Sequence, residues 1–311
     1  MPTSISVKNM SEYEWLEERN KGVGGSDTSI VLGLNKYKSA FQLWHEKTGK
    51  TQLEQLDNEA IHWGNILEDV VAKEFERVTG KKVRKDNHMY SHSEYPFMRA
   101  NLDRVVVGER AILECKTANS RLSEAWKDDE IPSAYFLQVQ HYLAVMEYEK
   151  AYIAVLIGGQ KFVWKEIKRD EELIQMIISA ESKFWNEHVL KDIAPEIDGS
   201  DAASKYLSER FADTDDTTKE LSSDYEKDIA YRDDLKRNIK ELQKEERLIE
   251  NKLKVALGTS EVGISGKYRI KWTPITTGRV DSQRLKEEKP EVYQAFLKET
   301  QSRRLNIKEI G

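Results

Sequence analysis

The chain has one cysteine in 311 residues, Cys115, and this excludes any internal disulfide. A single thiol of this kind is expected to serve as a core residue in a reducing compartment. No run of about eighteen apolar residues occurs, and no charged-then-apolar leader opens the sequence, so neither a membrane span nor export is expected. Cytoplasmic residence in a bacterial host or prophage-bearing cell follows as the expectation. Positive charge is also in short supply, with 49 Lys and Arg against 55 Asp and Glu and a formal net charge of −6. That balance argues against a protein whose main task is to coat nucleic acid, although local patches matter more than totals. What is present is a hydrophobic content of 39%, sufficient for a substantial core.

The most informative residues are Asn101-Leu102-Asp103 and, shortly after, Glu114-Cys115-Lys116. Met98 to Val107 is apolar and β-branched enough for a strand, Gly108-Glu109-Arg110 makes a turn, and Ala111 to Lys116 resumes the strand pattern. In such a hairpin Glu114 and Lys116 point to one face, Cys115 to the other, and Asp103 joins from the neighbouring strand. Two carboxylates can hold a hard cation such as Mg²⁺, which takes few protein ligands and keeps waters and substrate phosphate. A metal so placed acidifies a bound water, and an adjacent lysine can orient or deprotonate it. The grouping reads as a metal-dependent nuclease centre; an exposed hairpin with an i,i+2 ion pair would carry the same three residues.

Two helices add to the set. In Asn58 to Gly80, Ile61, Asn65, Glu68, Val71, Ala72 and Phe75 recur at helical spacing, which puts Glu68 beside the apolar stripe, where a carboxylate must meet a metal or an arginine. In Ser133 to Glu147, Gln138 and Tyr142 lie four apart on one ridge, able to grip a phosphate or a base edge, or simply to form a half-exposed helix face. Ser26 or Asp27 reads as an N-cap for a helix from Thr28 to Leu32, and the Gly24-Gly25-Ser26 turn before it is a ready anion site.

Downstream, Ala151 to Ile157 and Lys161 to Ile167 read as paired strands, and Asp170 to Leu190 as a helix with Leu173, Ile177, Ala180, Phe184 and Trp185 inward. The expected organisation is a nuclease core over 1–192, a linker over 193–219 with room for a short helix, a long helix over 220–257, and a small basic C-terminal module over 258–311. In the long helix Leu235, Ile239, Leu242, Ile249, Leu253 and Ala256 fit a heptad seam interrupted by Glu246. Gly258 to Thr277 alternates like strands with Gly263 and Gly266 as turns, and Ser282 to Thr300 looks helical. From Ser265 onward eleven Lys or Arg face six Asp or Glu, a local surplus that suits DNA or a partner, or plain surface. Arg19, Lys21, Lys36, Lys38 and Lys47, and later Lys81, Lys82, Arg84 and Lys85, are further cations that could line a duplex path.

Taken together, Trp15-Leu16-Glu17-Glu18-Arg19, Gly24-Gly25-Ser26-Asp27, Trp63-Gly64 leading to Glu68, Asn101-Leu102-Asp103, Glu114-Cys115-Lys116 and Gln138-Val139-Gln140-His141-Tyr142 resemble, in order and spacing, the YqaJ-like viral recombinase family. These phage alkaline exonucleases are similar to lambda exonuclease and belong to the PD-(D/E)xK superfamily; no proline precedes Asp103 here, a position that varies within it. The resemblance implies an α/β, restriction-endonuclease-like core, a mixed sheet flanked by helices, to which the long helical arm and a small C-terminal α+β module are added. It implies that Asp103, Glu114 and the Cys115 carbonyl bind Mg²⁺, with Glu68 contributing directly or through water, two ions in all and Mn²⁺ able to substitute. Lys116 would be the catalytic lysine, Gln138 and Tyr142 would steer the scissile region, and Arg19 and Ser26 would receive a 5′-phosphate, with Arg121 a further candidate. The implied activity is 5′-to-3′ resection of linear double-stranded DNA from phosphorylated ends, leaving 3′ tails for a single-strand annealing protein of a phage recombination system. A homo-oligomer, a trimeric ring threaded by DNA, is implied as well. An endonuclease, a single-strand exonuclease, or a noncatalytic DNA-end or partner-binding protein of the same fold are the alternatives.

Overall fold

Continuous apolar runs at 111–113 and 151–157 dictate a central pair of strands buried on both faces, and other elements of the first unit pack against it. The computed structural model describes residues 1–51, 59–215, 217–298 and 303–310 and divides into two units, Met1–Arg210 and Phe211–Gly311. The first unit opens with β1 (Thr3–Ser6), α1 (Glu12–Asn20), β2 (Val23–Gly24), α2 (Gly25–Val31), α3 (Ala40–Lys47) and α4 (Glu59–Thr79). It continues with β3 (Val83–Lys85), β4 (His88–Ser91), β5 (Met98–Asn101), β6 (Arg104–Val106) and β7 (Ala111–Ala118). After a 3-10 segment (Ser120–Trp126) come α5 (Ser133–Met146), β8 (Lys150–Ile157), β9 (Lys161–Lys168), α6 (Glu171–Lys183) running into a π-type turn (Phe184–Val189), and α7 (Asp201–Arg210).

The main sheet has the order β3-β6-β7-β8-β9 and is mixed: β7 and β8 are parallel from Ala111↔Lys150 to Ala118↔Ile157, and the other pairs are antiparallel. A parallel pair needs a crossover, and α5 supplies it. Ile112, Ile153, Val155 and Ile157 pack under α5 and α6 with Val139, Leu143, Ile174 and Ile177. The opposite face, Ala111, Leu113, Tyr152 and Ala154, packs against Val71, Ala72 and Phe75 of α4. Phe75 is fully buried, worth roughly 1.5–3 kcal/mol. A second sheet, β1-β4-β5-β2, sets β2 parallel to β5 through Val23↔Met98 and Gly24↔Arg99.

The strand expected over Met98 to Val107 is broken. β5 belongs to the second sheet and β6 to the first, and Leu102-Asp103 is the crossing between them. β6 pairs with β7 only as far as Arg104↔Leu113, so the Cys115 N–H beyond that point has no ladder partner and donates instead to Asp103 Oδ2 at 2.8 Å. The side chain of Asp103 thus replaces a backbone acceptor, which bends the chain out of one sheet into the other. Asn58, the expected start of the α4 helix, lies outside the described residues.

The first unit extends to Arg210 rather than 192. Within the expected linker, α7 buries Ala202, Ala203 and Tyr206, and the Tyr206 hydroxyl lies 3.2 Å from Thr51 Oγ1. The second unit contains α8 (Tyr225–Leu257), β10 (Val262–Ser265), β11 (Tyr268–Lys271), α9 (Ser282–Glu288) and α10 (Pro290–Phe296). α8 buries none of its residues, and its seam side chains Leu235, Ile239, Leu242, Ile249 and Leu253 are exposed. β10 and β11 form an antiparallel hairpin turning at Gly266, whose φ is +55°; Gly263, expected as a turn, lies within β10. The single helix expected from Ser282 is two, because Pro290 forces Lys289 out of helical geometry and starts α10. Glu299 and Thr300, at its expected end, lie outside the described residues. Among the described residues no helix is long and apolar enough to cross a membrane.

Candidate active site

Even-numbered residues of β7 face α5, which brings Glu114 and Lys116 under Gln138. Lys116 Nζ lies 2.6 Å from Glu114 Oε1 and donates to Gln138 Oε1 at 3.1 Å. Gln138 Nε2 donates to Glu114 Oε1 at 2.7 Å and to the Tyr142 hydroxyl at 3.0 Å. Lys116, Glu114 and Gln138 form a closed polar ring in which the amide fixes both the carboxylate and the ammonium, and Tyr142 joins it through Gln138. Glu114 is 2% exposed, so this ring is its compensation for burial. The Lys116 ammonium also sits 5.0 Å from the centre of the Tyr135 ring, which stacks on Trp126.

Charge at this place is unbalanced. Burial and then the neighbouring Glu114 push the Asp103 carboxyl well above its ordinary range. Burial opposes the charge on Lys116, but Glu114 and Asp103 outweigh it and raise the ammonium's pKa. Burial, with Glu114 and Asp103, also drives the Tyr142 phenol upward, and burial with Asp103 does the same to the Cys115 thiol. Cys115 is therefore a neutral thiol packed on the α4 side of the sheet. Within one strand residue N–H and C=O point to the same edge, so the Cys115 carbonyl shares the Asp103 side with its N–H.

The donor set fits Mg²⁺. Asp103 and Glu114 repel one another with a single lysine between them, and two carboxylates plus a carbonyl are the few hard oxygens that such an ion takes while keeping waters. Among the described residues no three His, Cys, Asp or Glu side chains group as a metal cage. Glu68 meets an arginine, one of the two partners expected for a carboxylate at that position. Its Oε1 accepts from Arg104 Nη1, because the adjoining strand presents a buried guanidinium to α4.

Arg19 and Ser26 do meet, Arg19 Nη2 donating to Ser26 Oγ at 2.9 Å and to Asp27 Oδ1 at 3.0 Å. Helix α2 starts earlier than expected: Gly24 is the N-cap, and Asp27 at the third helical position accepts the Gly24 N–H at 3.1 Å. Asp27 Oδ2 also pairs with Lys47 at 2.9 Å. Burial opposes ionisation of Asp27, but Lys47 and Arg19 hold its carboxyl far below the ordinary range. One buried anion thus carries two cations, and the local surplus of positive charge lies at a helix N-terminus. Gly25 brings this pocket against the polar ring: a Cβ there would lie 2.6 Å from Tyr142 Cε1 and 3.0 Å from the Gln138 carbonyl oxygen.

Arg121 is exposed on the 3-10 segment; its backbone N–H is held by Asn119, and among the described residues no hydrogen bond or ion pair joins it to Arg19 or Ser26. The cations proposed to line a duplex path are largely committed elsewhere. Lys47 is buried on Asp27, Lys21 pairs with Glu18, Lys38 with Glu46, and Lys81 with Glu109. Sequence reasoning missed Asp27 as the shared partner of Arg19 and Lys47, and Arg104 as the partner of Glu68. It also missed a buried link in which Glu181 Oε1 accepts from Thr28 Oγ1 (2.7 Å) and lies 3.0 Å from His141 Nδ1, while His141 Nε2 donates to the Arg99 carbonyl (2.9 Å). That link joins α2, α5, α6 and β5 behind both pockets.

A family model described as the YqaJ-like viral recombinase domain matches residues 14–149. The Bacillus subtilis (strain 168) protein that carries the name Uncharacterized protein YqaJ is 49% identical over 312 residues, covering 99% of this chain and 98% of its own. Among solved structures, an alkaline exonuclease (LHK-Exo) from Laribacter hongkongensis matches with a TM-score of 0.50 and 22% identity over 58% of this chain and 94% of its own. LHK-Exo in complex with dAMP gives the same score and identity, covering 64% and 98%. These likenesses establish the fold as restriction-endonuclease-like α/β, as the sequence motifs imply.

Proposed function

We propose, from the premise that the chain belongs to the YqaJ-like viral recombinase family, that it is an Mg²⁺-dependent exonuclease that resects linear duplex DNA from 5′-phosphorylated ends. The observation that carries this reading is the sharing of α5 by two pockets. Gln138 holds the carboxylate and the lysine, and Tyr142, one turn on, touches Gly25 at the head of the Arg19–Ser26 pocket. A terminal phosphate held by Arg19 and Ser26 would therefore lie one helix away from the carboxylates, which suits cleavage close to an end.

Asp103, Glu114 and the Cys115 carbonyl would hold Mg²⁺ or Mn²⁺, which when bound supplies an acidified water and neutralises charge on the phosphoryl oxygens. Asp103 is kept in place by the Cys115 N–H, and Glu114 by Gln138 and Lys116. Lys116, pinned by Glu114, Gln138 and the Tyr135 face, is a fixed cation that orients the attacking oxygen and steadies charge in the transition state. Tyr142, kept neutral by burial and its acidic neighbours, offers its hydroxyl along the same ridge. Resection from the 5′ side leaves 3′ single strands for an annealing protein, and a trimeric ring would account for processivity; support for both comes from family resemblance alone.

The test is digestion in Mg²⁺ of linear duplex DNA bearing a 5′-phosphate or a 5′-hydroxyl, beside a circular control. The phosphorylated strand of the linear DNA should be lost first and the circle spared. Arg19→Ala should lower the rate on phosphorylated ends by about ten- to a hundredfold, the worth of a charge-assisted hydrogen bond, and leave hydroxyl ends nearly unchanged. Equal losses on both ends would remove the phosphate pocket, and cutting of circles would replace the exonuclease with an endonuclease.

A further inference from the structure

Arg104 is a buried cation with three acceptors. Its side chain is 4% exposed; Nη1 donates to Glu68 Oε1 and to the Asp103 carbonyl oxygen at 2.6 Å, and Nη2 donates to Asp69 Oδ1. Glu68 and Asp69 are consecutive on α4, whereas the carbonyl belongs to the peptide that carries the Asp103 carboxylate. Glu68 Oε1 and the Asp103 carbonyl contact the same nitrogen, so they lie within two hydrogen-bond lengths, roughly 5–6 Å, of each other.

Two neighbouring acids on one guanidinium are not equivalent. The Asp69 side chain is 69% exposed and sits in water, and that of Glu68 is 23% exposed and sits at the edge of the acidic centre. Were Glu68 to turn away, Asp69 would still balance Arg104, so the buried cation would never be left alone.

We propose that Arg104 is a latch on Glu68: without a bound ion it keeps this carboxylate out of the ligand set, and an ion at Asp103 and Glu114 recruits Glu68 only by taking it from Arg104, with Asp69 as the counter-charge that permits the release. The inference rests on the metal-site reading above and makes Arg104 a positioning residue that sets how many carboxylates the centre offers. It also accounts for a helix residue of the expected kind, Glu68, being found one guanidinium away from its expected place.

The test is Mn²⁺ binding to the full chain without DNA, read as free Mn²⁺ by electron paramagnetic resonance. Arg104→Gln should bind about tenfold more tightly than wild type, in the range by which neighbours of metal ligands act. Asp69→Asn, a change at the surface, should weaken binding severalfold because releasing Glu68 would strand Arg104. Both effects should vanish in a Glu68→Gln background. Affinities within twofold of wild type for both variants, or the same shifts in the Glu68→Gln background, overturn the latch; should Arg104→Gln not fold, Asp69→Asn decides. Binding abolished by Asp103→Asn but indifferent to Arg104 and Asp69 sinks the latch alone. Absence of Mn²⁺ binding to wild type removes the metal site and the latch together.

Discussion

Asp103→Asn should stabilise the metal-free protein while destroying its activity. At pH 8 the folded chain must ionise a carboxyl that burial and Glu114 hold above its ordinary range, whereas the unfolded chain ionises it freely. A carboxyl raised in this way favours the folded state below its unfolded value, near 4, and loses that advantage as pH rises through its folded value. Two carboxylates at a nominal separation of about 5 Å would repel by about 3 kcal/mol at an effective dielectric near 20, and an adjacent ammonium offsetting roughly half of that would leave about 1–2 kcal/mol. The asparagine oxygen can still accept the Cys115 N–H, so the crossing between the sheets is kept. For a unit of this size the gain is a rise in Tm of about 2–8 °C. The assay is thermal unfolding in EDTA from pH 8 to pH 4: the variant should lead at pH 8 and the gap should close toward pH 4. Mg²⁺ should raise the Tm of the wild type and not that of the variant. An Asn variant no more stable than wild type at pH 8, or a gap independent of pH, would refute the reasoning.

Two further changes probe the second pocket. Asp27→Asn leaves Lys47 buried without a counter-charge and should cost about 3–5 kcal/mol in urea unfolding. Because the Asp27 carboxyl is depressed despite burial, by Lys47 and Arg19, its stabilising pairs are present above about pH 4 and are lost as pH falls through the depressed value, so the deficit of Asp27→Asn should shrink in acid. Gly25→Ala pushes a methyl into Tyr142 and the Gln138 carbonyl; a loss of about 1–3 kcal/mol is expected, with reduced cleavage at phosphorylated ends, and a neutral outcome would mean that the two pockets are not in contact.

The chemistry of the centre was legible because it is local. Period two along 111–118 puts Glu114 and Lys116 on one face, and the four-residue spacing of Gln138 and Tyr142 makes one ridge, and these are the faces that meet. Where the strand breaks was not read from the sequence, although Asp103 is a poor strand former; the partner that takes its side chain at the break, the Cys115 N–H, lies twelve residues away. Glu68 was seen to need a partner, but the choice of Arg104, 36 residues on, depends on how α4 lies across the sheet. Glu181 escaped notice for a similar reason. The inward face of α6 was read from its apolar members, and an acid on that face is tolerated only because His141 and Thr28 arrive from two other helices. Pro290, by contrast, is a local signal that the expectation of one helix from Ser282 passed over, and it breaks that helix in two.

The most direct test of the central claim is single-turnover digestion of 5′-phosphorylated linear duplex in Mg²⁺ by wild type and Lys116→Ala, with DNA binding measured on the same samples. Wild type should remove the strand from its 5′ end, the variant should remove none, and both should bind equally. Near-normal cleavage by Lys116→Ala would contradict the assignment of the site, and binding without cleavage by the wild type would contradict the exonuclease itself.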